Sequence, residues 1–135
     1  MDRHDRQLRL IQWVIALPFF VLGGWALLAP QSVIDLTLRP EYRIDNRILP
    51  FTIACFGAQA LISGLFAACS RFTRATFLAY GVALLPFFLF NYWFTVVDPV
   101  FTRLGLLDLV GNLLMFVACV VGWRKAGSRG AAANN

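Results

Sequence analysis

Four apolar stretches, residues 8–29, 48–70, 72–97 and 104–123, are each long enough to cross a lipid bilayer. A helix rises about 1.5 Å per residue, so roughly 20 residues cover a hydrocarbon core of about 30 Å. The implied fold is all-α: a four-helix, up-down-up-down transmembrane bundle. With 59% hydrophobic residues and a mean hydropathy of +0.69, the chain lies well outside the soluble range. It reads as one transmembrane domain over residues 1–125. The Gly/Ala/Asn-rich stretch 126–135 has too few apolar side chains to offset its ordering entropy, and no order is expected there.

The net charge of +5 has the distribution of a membrane topology signal. Arg3, Arg6, Arg9, Arg71, Arg74, Arg124, Lys125 and Arg129 fall on one side of the four segments; Arg39, Arg43, Arg47 and Arg103 fall on the other. By the positive-inside rule both termini are cytoplasmic. No basic stripe with interleaved aromatics is present, so nucleic acid is not an expected partner. A cleaved signal peptide fits segment one poorly, because the apolar run is too long and residues 23–30 make a poor small-x-small cleavage site. The heavy use of Arg over Lys points to a GC-rich genome, and a bacterial inner membrane is the expected location.

Local signals punctuate the segments. Pro18 should bend the first helix, while Gln12 and Trp13 suit the headgroup level. In the first connection, residues 30–47, Ser32 followed by Asp35 reads as a weak capping box opening a short interfacial helix that Pro40 ends; a plain surface loop is the alternative. Gly57, Ala60, Gly64 and Ala68 form a ridge of small residues suited to close helix packing. Segments two and three are joined so tightly that an antiparallel hairpin is expected. Segment three ends in an aromatic belt at Asn91-Tyr92-Trp93.

Segment four carries the one pattern that points to a site. Gly105, Asp108, Asn112, Met115, Cys119 and Gly122 recur at 3-4-3-4-3 spacing, which puts a small or polar face on one side of the helix. That face should look inward, since a carboxylate facing lipid costs about 2.5–3.5 kcal/mol on insertion scales. Asp108 lies about 6 Å below the end of its helix at 1.5 Å per residue. Matching depths across antiparallel segments brings Asn91, Asn112, Gln59 and Thr52 to the same region. The predicted cluster of Asp108, Asn91, Asn112, Gln59 and Thr52 opens toward the outer side, with Arg47, Asp98 and Arg103 at its rim.

Such a cluster either holds helices together or binds something. No catalytic set, metal site or cofactor is assigned: His4 is the sole histidine, the three cysteines lack paired spacing, and no nucleotide or zincin motif occurs. The favoured reading is a small membrane protein with an accessory, scaffold or lipid-binding role. Its expected partners are membrane lipid and, through the small-residue ridges, other membrane proteins or a second copy. One alternative is a dimeric proton-coupled transporter using Asp108. The other is a one-acid membrane enzyme acting on a lipidic substrate, with Asn91 orienting.

Overall fold

The computed structural model describes residues 3–132, and its regular elements are helices. Five helices follow in chain order: α1 (Arg3–Leu28), α2 (Pro30–Thr37), α3 (Ile48–Cys69), α4 (Arg74–Tyr92) and α5 (Leu107–Ala132). α1, α3, α4 with its continuation, and α5 are long and apolar enough to span a bilayer, over Asp5–Leu28, Ile48–Cys69, Arg74–Val97 and Leu104–Gly127. Among the described residues there is no strand, only an isolated antiparallel bridge between Leu38 and Phe101. Large apolar side chains cover the outside: Phe51, Phe66, Leu89 and Val96 are all more than 60% exposed. Water would penalise such a surface heavily; hydrocarbon does not.

Small residues decide which helices meet. α3 packs along α1, where a methyl placed on Gly57 would lie 2.7 Å from Gly23 O and one on Gly23 would lie 2.8 Å from Ala60 Cβ. Gly64 meets Phe19 in the same seam, and Ala68 is buried at its end. Numbers rise along α1 as they fall along α3, so the two run antiparallel. α5 packs on α1, with Gly111 against Pro18 and Leu22, and α4 packs on α5, with Phe77 filling the space over Gly122.

The expected α3–α4 hairpin is therefore not a packed pair. The two helices are consecutive and joined by a short turn, yet α3 gives its small-residue face to α1 while α4 packs on α5. One long side chain links them, Tyr80 Oη donating to Ser63 O at 3.4 Å. The order across the molecule is α3, α1, α5, α4, and the side between α3 and α4 stays open.

The connections hold two further differences from the sequence reading. α2 starts at Pro30, whose preset φ suits a first helical position, so Ser32 and Asp35 form no capping box. Ser32 Oγ accepts from Trp25 Nε1 at 3.2 Å, and Asp35 accepts from Gln31 at 3.0 Å. α2 also turns Ile34 into the protein, 2% exposed, and is pinned to the later connection by Thr102 N donating to Thr37 O at 2.8 Å. α4 continues past Tyr92 as a π-helical turn, Trp93–Val97. α5 runs through Ala132, and residues 133–135 of the stretch 126–135 lie outside the described part.

Candidate functional site

The stripe on α5 faces inward. Gly105, Asn112, Met115, Cys119 and Gly122 are buried and Asp108 is half-buried, whereas Leu107, Val110, Leu113, Leu114, Val117 and Val121 are exposed. Asp108 is bonded on two sides through one oxygen. Asn91 Nδ2 on α4 donates to Asp108 Oδ2 at 2.8 Å, and Asn112 Nδ2, one turn along α5, donates to the same oxygen at 2.8 Å. Asn91 Nδ2 also donates to Phe87 O at 2.9 Å. Both asparagines are 3% exposed. Buried amides of this kind are tolerated because each finds a charged or backbone acceptor.

Beside the triad lies a cleft of about 250 Å³, bordered by all four long helices and containing Asp108, Asn112, Gln59 and Ser63 in its lining. A second cavity of about 240 Å³ continues it toward α2, floored by Ile34, Thr37 and Leu38. Four residues line both cavities: Leu22 from α1, Phe56 from α3, Phe87 from α4 and Asp108 from α5. The waist of the passage is thus built by one side chain from each long helix, and Asp108 is the polar one. Phe56 is 55% exposed and Gln59 is also exposed, which places the opening sideways, between α3 and α4. The outer opening expected from depth alone is occupied by α2 and by Phe101, Leu104 and Gly105.

Of the residues anticipated for the cluster, the structure joins Asp108, Asn91 and Asn112 directly. Gln59 borders the same cleft without a bond to them. Thr52 is exposed on α3 and its hydroxyl donates to Ile48 O at 2.9 Å; a hydroxyl satisfied by its own helix needs no partner across the molecule. The three rim residues do not reach the triad. Arg47 is exposed just before α3, Asp98 accepts from Tyr42 Oη at 2.7 Å, and Arg103 lines a separate depression with Arg39 and Thr95. Gly57, Ala60, Gly64 and Ala68 lie in the seam with α1.

A second polar contact was not anticipated. Gln12, assigned by sequence to the headgroup level, is 3% exposed, and its Nε2 donates to Ala67 O and Ser70 O at the end of α3. Arg9 Nη1 adds a bond to Ala68 O at 3.1 Å. Orphan carbonyls at a helix C-terminus need donors, and Gln12 and Arg9 are the polar side chains one turn apart on the facing helix. Among the described residues no three of His, Cys, Asp and Glu gather as a metal-binding group. No known protein family, curated protein or solved structure matches the chain.

Proposed function

We propose that this integral membrane protein crosses the bilayer four times, up-down-up-down with both termini cytoplasmic, in a bacterial inner membrane, and binds an amphipathic molecule drawn from the surrounding lipid. The observation that carries the binding role is the lateral cleft, whose walls are apolar except where Asp108, Asn112, Gln59 and Ser63 gather. An apolar space with a few convergent polar groups is the general form of a small-molecule site. Its opening between α3 and α4 faces hydrocarbon, so an apolar body enters without crossing water. A scaffold role is less favoured, because the small-residue ridge that would dock a partner is covered by α1. The topology draws support from the distribution of arginine and lysine along the chain.

The test is native mass spectrometry of the protein released from bilayer patches. Wild type is expected to carry a bound amphiphile, and Ser63→Phe, which fills the cleft, is expected to lose it. A wild-type protein that carries nothing, or a Ser63→Phe variant that retains the same species, overturns the binding role.

A further inference from the structure

The polar triad is short of donors and has a charge without a partner. A carboxylate only accepts hydrogen bonds, so Asn91 and Asn112 both present NH2 groups to Asp108 Oδ2 and turn their carbonyl oxygens elsewhere. Asn91 Oδ1 is left buried with no partner. Asp108 Oδ1 and Asn112 Oδ1 receive no hydrogen bond from any described residue, and both residues line the cleft. No described Lys or Arg pairs with Asp108. Arg103, the basic residue nearest in sequence, is exposed and lines the depression beside Arg39. Amide dipoles stabilise a carboxylate without cancelling its charge, and a charge at membrane depth is ordinarily matched by a counter-charge.

Resting on the cleft reading above, we propose that the ligand is a lipophilic primary amine, its ammonium group held against Asp108 Oδ1 and Asn112 Oδ1 and its hydrocarbon body lying between α3 and α4. An ammonium group supplies what the site lacks: a positive charge, three N–H donors and no acceptor. A hydroxyl offers one donor and no charge; a quaternary ammonium offers charge and no donor; a phosphate or carboxylate adds repulsion. Phe56 and Phe87 line the waist together with Asp108, and aromatic rings in the same cleft also favour a cation.

The experiment uses wild-type protein in nanodiscs of zwitterionic lipid, labelled by a dodecylamine carrying a mid-chain diazirine and, in parallel, by the corresponding diazirine dodecanol. Unlabelled dodecylamine, dodecanol and dodecyltrimethylammonium are the competitors. Saturable adducts are expected on cleft residues of α3 and α4, with dodecylamine competing at about tenfold lower concentration than either analogue. Asp108→Asn is expected to erase that preference, and the wild-type competition series decides the question if the variant does not reconstitute. Equal competition by dodecanol or by the trimethyl compound overturns the amine assignment and leaves the cleft reading standing. Absence of saturable labelling by the amine probe and by its alcohol counterpart overturns both.

Discussion

Asn91 and Asp108 sit on different helices and share a 2.8 Å hydrogen bond, so the amide of α4 fixes the carboxylate of α5 at the waist of the cleft. The bond joins a structural role to a chemical one. It ties the α4–α5 pair, and by occupying Oδ2 together with Asn112 it leaves Oδ1 without a hydrogen bond from any described residue. Its removal is therefore expected to loosen packing and to misplace the acid.

Asn91→Leu keeps the volume and deletes the donor. The expected loss of stability is about 1–2 kcal/mol, near the upper end of measured interhelical hydrogen bonds in membranes. Asn112→Leu should cost a comparable amount, and the double variant more than the sum, because either donor left in place still serves the shared oxygen while the double variant leaves it bare. Reversible unfolding in mixed micelles measures all three; strict additivity would show that the two amides act independently.

Gly57, in the α1–α3 seam, and Gly24, which faces open space, should respond in opposite ways. A methyl on Gly57 would meet Gly23 O at 2.7 Å and the Ala26 carbonyl carbon at 2.8 Å, both backbone atoms that cannot swing aside. Gly57→Ala is expected to force α1 and α3 apart at a cost of about 1–3 kcal/mol, the range for overpacking. Gly24 has nothing within 4 Å of the same position, so Gly24→Ala should be neutral or slightly stabilising through helix propensity. Thermal unfolding of the two variants side by side checks the contrast.

Gln12→Met should reveal how much the end of α3 depends on one amide. The substitution preserves an unbranched apolar stem, leaves Ala67 O without its side-chain donor and leaves Ser70 O with only the 3.5 Å bond from Arg9. An unsatisfied buried acceptor costs about 1–3 kcal/mol. The signature is local: hydrogen exchange should accelerate in the last turn of α3 and the turn before α4 ahead of the rest of the chain. Uniform acceleration would mean that Gln12 acts on global stability only.

How far the sequence revealed this arrangement depends on the kind of signal. Length and hydropathy carry the four spanning helices, because bilayer thickness sets a scale that a sequence can be measured against. The 3-4 spacing around Asp108 carries its inward face, and depth matching brings Asn91 and Asn112 to it. Depth has no angular information, which is why it also admits Thr52 and Arg103, residues at suitable heights on the wrong side. Helix adjacency was hidden for the same reason. The short turn before Thr73 dictates chain proximity, whereas the choice of α1 as the partner of α3 rests on Gly57 meeting Gly23, a backbone fit visible only when both helices are placed. Gln12 escaped because its partners are backbone carbonyls, which no sequence pattern marks.

Tyr42 Oη donates to Asp98 at 2.7 Å, linking the Pro40–Tyr42 turn to the connection that leads into α5. The phenol can donate only while protonated, so the hydrogen bond to Asp98, aided by desolvation and by the nearby carboxylate charges of Asp98 and Glu41, raises its pKa above the usual 10.0. For a group whose folded-state pKa is raised, the stabilising contribution is complete below the unfolded value and is lost as pH climbs through the folded one. The link should therefore hold through neutral and mildly alkaline conditions and release only above pH 10. Phenolate absorbance, with Tyr42→Phe subtracted to isolate this side chain, is expected to show late ionisation that Asp98→Asn moves back toward that of a free tyrosine. An Asp98→Asn titration that overlays the wild type would mean that this bond does not hold the turn in solution.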